Sequence, residues 1–209
     1  MIPLVLASAV ATLVAQSDQI LAYYWNRAHA TLKGRDPIET GARFSYVARS
    51  FQKKLGKKGE IVSVDSATVA YYYSFGHLDS TTVLRGDPKR LHAVELLFPN
   101  IFDSSYVVHG FPNDTGGPSI AIGFDTDSAK HKDPVGLALI DRLTYLPRWA
   151  YLYYPNRPGY RRFTRSYRLI AEQGLIFPDS VWEVATKDEF FFSSTYRLET
   201  GISQIQIYR

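Results

Sequence analysis

The chain contains no cysteine and a single methionine among its 209 residues. The first absence removes disulfides, thiolate nucleophiles and cysteine-ligated zinc together. Strong charge of one sign is also missing: 24 basic against 20 acidic residues leave a net +4. Much of that excess sits at Lys53, Lys54, Lys57 and Lys58 and along Arg157, Arg161, Arg162, Arg165 and Arg168. A dedicated nucleic-acid face would be denser, so these groups read as loop tips and a solvated strand face. No hydrophobic run reaches the roughly 20 residues that a spanning helix needs. Residues 1–15, MIPLVLASAVATLVA, are uncharged and have the length of a signal-peptide hydrophobic region, with an Ala-x-Ala pattern at Ala9 and Ala11, though no basic residue precedes them. The expectation is an exported protein, periplasmic or extracellular, with residues 16–209 forming one domain.

Aromatic residues are plentiful. Fifteen tyrosines and twelve phenylalanines favour β-structure, since flat rings suit a pleated surface. Leu21, Trp25, Ala28 and Leu32 follow at spacings of four, three and four, the stripe of an amphipathic helix stopped by Gly34. Residues 42–55 fit either a helix or a strand. The polar, glycine-flanked LGKKGE at 55–60, followed by β-branched and aromatic residues to 75, favours a hairpin. Asp87-Pro88 and Asp133-Pro134 each place a capping residue before proline. Leu91, Val94 and Leu97, and Val135, Leu139, Leu143 and Leu146, recur at helical spacing, so two short central helices are expected within an insertion at 86–148. Alternation then predicts four antiparallel strands: one over 163–170, one over 178–188, one over 189–199 and one over 202–208.

No catalytic motif is present. Asp125, Asp127, His131 and Asp133 gather oxygen and imidazole ligands, but the glycine and glutamate of an EF-hand loop are missing, and the segment reads as a solvated turn. His109, Asp114 and Ser119 are a chance-level cluster with no nucleophile elbow around the serine. Two readings from other classes stay open. One is a secreted hydrolase or carbohydrate-binding protein using carboxylates of the 99–134 loop. The other is an envelope structural protein assembling through an exposed sheet edge.

The segments FSYVARSFQKKLGKKGEIVSVDSATVAYYYS (44–74) and GLIFPDSVWEVATKDEFFFSSTYRLETGISQIQIY (174–208) follow a helix in an order that resembles the outer-membrane lipoprotein carrier superfamily, the LolA-like proteins. That resemblance implies an α+β, mainly antiparallel fold: a strongly curved, incomplete β-barrel covered by an N-terminal helix and short central helices. It implies a non-catalytic carrier of an apolar ligand, whether a lipid, an acyl chain or a lipoprotein. The expected ligand wall is Phe44, Tyr46, Tyr71, Tyr73, Tyr167, Trp182, Phe190, Phe192 and Tyr196, with Leu21, Trp25 and Leu32 as the lid. The expected partners are a lipid or lipidated protein and an envelope membrane protein. No cofactor, metal or nucleic acid is expected, and the chain is expected to be a monomer.

Overall fold

The computed structural model describes residues 3–91, 96–99, 101–102, 104–110, 116–126, 133–189 and 192–208, with backbone alone at 3–17, 188–189 and 192–193. One helix, α1 (Pro3–Lys33), precedes ten strands: β1 (Arg43–Leu55), β2 (Ile61–Ser74), β3 (His77–Gly86), β4 (Tyr106–Gly110), β5 (Ser119–Thr126), β6 (Val135–Asp141), β7 (Pro147–Tyr153), β8 (Tyr160–Glu172), β9 (Leu175–Glu189) and β10 (Phe192–Tyr208). All ten lie in one antiparallel sheet, ordered β3-β2-β1-β10-β9-β8-β7-β6-β5-β4, which stays open between β3 and β4. This is the expected unclosed half-barrel. Among the described residues, no helix is long and apolar enough to cross a membrane.

The predicted amphipathic stripe forms. Leu21, Trp25, Ala28 and Leu32 are buried against β5 to β9, where Ile122, Phe124, Ile140, Leu152, Tyr167 and Val181 join them in a first core cluster. Trp25 lies 4.5 Å from the Phe102 ring and 5.3 Å from Phe124. The His29 Nδ1–H donates to the Phe102 carbonyl, which ties the 101–102 segment beneath the helix. Beyond Lys33 the chain turns sharply, with Arg35 and Asp36 amides donating to the Leu32 carbonyl at 2.8 and 2.7 Å. A second cluster, built on Phe44, Tyr46, Ala48, Leu96, Phe177 and Ile202, lies under β1, β9 and β10, outside the reach of α1.

The expected central helices are not both there. Asp87 caps as anticipated, accepting from the Lys89 amide at 3.0 Å, but the result is a single 3₁₀ turn, Pro88–Arg90. Residues 92–95, including Val94, lie outside the described residues. Val135, Leu139 and their neighbours form β6, paired on one side with β5 and on the other with β7. Ladder hydrogen bonds on both edges outweigh one local capping signal. The four expected closing strands are three, because 189–199 and 202–208 run together through Gly201 as β10.

The β6–β7 turn is organised by Asp141. Its Oδ1 accepts from the Leu143 and Thr144 amides at 3.1 and 2.9 Å, and Arg148 Nη2 reaches Oδ2 at 3.1 Å. The Thr144 amide, then the Arg148 and Leu143 contacts, hold its pKa down to about 2 despite partial burial. An unfolded aspartate titrates near ~3.9, so between those values the unfolded chain binds more protons. Stability therefore rises with pH through that window and is lost as pH falls toward 2. Thermal melts between pH 5 and pH 2 are expected to show this loss, and Asp141→Asn is expected to flatten it.

A candidate apolar ligand site at the seam of two cores

Strand register sorts the inner face of the sheet into rows. Phe44 stands opposite Tyr73 and Ile207, and Tyr46 opposite Tyr71. Ala48 stands between Val69 and Ile202. Further along, Gln52 pairs with Leu198, Leu198 with Glu183, and Glu183 with Arg165. The inner face thus runs from an aromatic end, near the turn after α1, to a polar end near the β1–β2 hairpin.

The aromatic end is a stack. Phe44 and Tyr73 rings lie 4.7 Å apart and nearly parallel, Tyr46 and Tyr71 are 5.2 Å apart, and Phe177 meets Phe44 edge-on at 5.3 Å. Offset stacks of this kind contribute about 0.5–1.5 kcal/mol each beyond burial. The Tyr46 and Tyr73 hydroxyls are 3.4 Å apart. Burial first, then the neighbouring Tyr73 and Tyr71, pushes the Tyr46 phenol far above its ordinary range, so it is a neutral hydroxyl at every accessible pH.

At this same end a cleft of about 260 Å³ opens between the two clusters, lined by residues that include Leu32, Ile38, Leu97, Phe98, Ile176 and Pro178. Leu32, Ile176 and Phe98 belong to the first cluster, and Ile38 and Leu97 pack on the second. The cleft is therefore the seam where one core stops and the other begins. Its frame is held by backbone contacts. The Ile176 amide donates to the Arg35 carbonyl at 2.9 Å, pinning the post-helix turn to β9. Asp36 Oδ1 accepts from the Ile38 and Glu39 amides at 2.7 and 3.1 Å, closing a capped single turn. Gly76, at φ +81°, lies so close to this turn that an added Cβ would stand 3.0 Å from the Ile38 carbonyl oxygen. Pro178 sits beside the β8–β9 register shift at Arg168/Leu169, where a missing ladder donor is tolerated.

The predicted wall residues separate into groups. Phe44, Tyr46, Tyr71 and Tyr73 come together as expected. Tyr167 faces the same side but lies in the first cluster, under the Phe98 ring at 5.2 Å. Tyr196 is on the inner face at the polar end, where Ser194 donates to its hydroxyl at 3.1 Å. Trp182 is on the opposite face, because Val181 and Glu183 on either side of it are the inward, buried positions. Phe190 lies outside the described residues, as does the side chain of Phe192. Leu21, Trp25 and Leu32 share one buried face of α1, which packs on β4 to β9 and leaves the aromatic stack to the 36–42 turn and the 96–98 segment. Of the acidic loop, Asp103, Asp114, Asp127 and His131 lie outside the described residues. The His109 ring lies over Gly123, its partner across the ladder.

Sequence reading missed the cleft's own lining, apart from Leu32, and missed the polar end. Arg165, expected on a solvated face, is buried at 1% exposure beside Glu183 at 4%. Its Nε and Nη2 reach Glu183 Oε2 at 3.2 and 2.9 Å, and Nη1 donates to the Tyr167 hydroxyl at 3.2 Å. Burial alone would lower the guanidinium's pKa, but the Tyr167, Glu183 and Tyr154 oxygens outweigh it and hold it above its ordinary value. Arg157 is likewise not free, lying 3.7 Å over the Phe163 ring. The inward parity of Arg165 between Phe163 and Tyr167 was the available signal. Removing one partner of such a pair leaves an uncompensated buried charge, worth about 3–5 kcal/mol. Glu183→Ala is expected to lose that much in urea denaturation. The double replacement Arg165→Met with Glu183→Leu is expected to recover most of it.

Comparison with family models and with curated proteins gives no match. Among solved structures, the chain is similar to a LolA superfamily protein from Nitrosomonas europaea at 10% identity and TM-score 0.38, covering 92% of this chain and 94% of that one. It is similar to a DUF1329 family protein from Desulfovibrio piger at 11% identity and TM-score 0.43, covering 91% and 93%. A third structure, described as an outer membrane lipoprotein-sorting protein domain from Vibrio parahaemolyticus, gives 10% identity and TM-score 0.39, covering 88% and 91%. Likeness at this level says nothing about ligand or partner.

Proposed function

We propose that the protein is a non-catalytic carrier of an apolar chain, either a lipid or the acyl group of a lipidated protein, acting in the cell envelope after export. The observation that supports this most is the cleft at the seam of the two cores. A chain packed only for stability would close that seam, since interiors reach crystal-like density. Here, among the described residues, Leu32, Ile38, Leu97, Phe98, Ile176 and Pro178 line an opening instead, together with Asp36, Pro37 and Glu39 of the post-helix turn. Its volume is just under the about 300–1,000 Å³ of sites that enclose drug-sized ligands, which suits a slender chain better than a bulky ring system. Each methylene buried there contributes about 0.8 kcal/mol, so a partly inserted acyl chain binds usefully. The aromatic stack beside the cleft, continued on β3 by Leu78 opposite Tyr73 and Val83 opposite Val69, offers a wall for the rest of it.

Export is supported by the uncharged stretch at residues 1–15. All of the helix residues named as lid lie beyond it, so loss of that stretch would leave the sheet-facing stripe whole.

Native mass spectrometry of the protein purified from a lipid-containing host, followed by organic extraction, tests the proposal. One equivalent of lipid, released on denaturation, is expected. Ile38→Trp, which plugs the cleft from an already half-buried position, is expected to weaken uptake of a fluorescent fatty acid about tenfold or more while the thermal midpoint stays close to that of the parent. An apo mass with no uptake by the parent protein, or uptake unchanged by the plug, would contradict the carrier reading.

A further inference from the structure

The outer face of the sheet, opposite α1 and separate from the cleft, carries a larger concavity. It is shallow and open to solvent, holds about 600 Å³ and is lined by Tyr151, Tyr153, Arg161, Arg162 and Thr186. Strand alternation places four of these there. Tyr151 and Tyr153 stand opposite Ser166 and Thr164, Arg162 opposite Thr186, and all share the parity of outward-facing Trp182. Arg161 breaks the rule, since alternation alone would turn it toward the core. The β8–β9 register slips between Tyr160 and Arg162, which makes Arg161 the bulged residue and brings two consecutive arginines to one pocket. Bulges re-aim side chains in this way beside functional sites.

The chemistry of the lining is one-sided. Two guanidinium groups and two phenols can donate, as can the Thr186 hydroxyl, which lies 3.1 Å from that of Thr195, and among the described residues no carboxylate lines the pocket. Other arginines of this region are paired: Arg148 with Asp141, Arg165 with Glu183 and Arg168 with Asp179. Among the described residues Arg161 and Arg162 have no such partner. Two adjacent guanidinium groups with no carboxylate partner among the described residues repel each other and are relieved by a multivalent oxyanion, which each can hold through parallel N–H···O contacts. The space exceeds a bare ion. The Tyr151 ring, stacked on Trp149 at 6.4 Å, offers a flat surface to whatever the anion is attached to.

We propose that this pocket binds a phosphate group carried on a larger molecule, with Arg161 and Arg162 as its principal ligands. The group could belong to a phospholipid headgroup or to a soluble phosphate ester. Titration calorimetry of the full chain with glycerol phosphate, against chloride of matched ionic strength, reads the shared chemistry. Sedimentation with phosphatidylcholine vesicles, with and without phosphatidylglycerol, separates the sources. Saturable glycerol phosphate binding is expected, weakened about tenfold or more in Arg161→Gln/Arg162→Gln and unchanged in Arg197→Gln, which removes a charge elsewhere on the same face. Added arginine-dependent sedimentation with phosphatidylglycerol assigns a headgroup, and its absence assigns a soluble ester. The proposal is overturned if glycerol phosphate binds no better than chloride, if the double variant binds as the parent does, or if Arg197→Gln loses as much. Vesicle binding without glycerol phosphate binding is diffuse surface charge and also overturns it. All the replaced side chains are exposed, so an unchanged melting temperature verifies that the variants fold.

Discussion

One constraint organises the molecule: among the described residues, one α-helix must cover the inner face of a ten-stranded open sheet, and it is too narrow to do so. An α-helix with its side chains is about 10–12 Å across, whereas neighbouring strands are spaced about 4.7–4.9 Å. Helix α1 therefore seals only the β4 to β9 side. The remaining inner face, under β1, β2 and β10, has to be covered by irregular chain. Among the described residues, the post-helix turn and the segment around Leu96, Leu97 and Phe98 do this incompletely. Two clusters result in place of one core, and the cleft is the line between them.

The sheet's own register decides which end of that line is apolar. Stacked rings occupy the end where the cleft opens, while Gln52, Glu183 and Arg165 are buried at the other. A buried ion pair contributes little net stability, because the desolvation of two charges offsets their attraction. What it does here is make one end of the inner face polar, opposite to the end proposed to hold an apolar chain.

Much of this was legible in the sequence, for identifiable reasons. The buried stripe of α1 was visible because Leu21, Trp25, Ala28 and Leu32 face one side only. The Phe44–Tyr46–Ala48 and Val69–Tyr71–Tyr73 faces were visible because both strands alternate. Trp182 was misplaced because Val181, Trp182, Val184 and Ala185 put apolar groups on both faces, so alternation does not orient β9. Its pairing with β8 and β10, a long-range fact, decides the matter. Asp133-Pro134 promised a helix on local chemistry that two ladders override. The cleft lining was out of reach, since Ile38, Leu97, Phe98 and Ile176 come from one turn, one irregular segment and a strand end, with no shared period.

Photo-crosslinking with a fatty acid carrying a diazirine near its terminal methyl, mapped by peptide mass spectrometry, tests the central claim most directly. If the seam between the two cores is the ligand site, adducts will concentrate on Ile38, Leu97, Phe98 and Ile176 and spread no further than the Tyr73 and Leu78 wall. Residues sealed beneath α1, such as Ile122 and Leu152, will stay unlabelled. Adducts scattered over the outer face, or centred beneath the helix, would contradict the account.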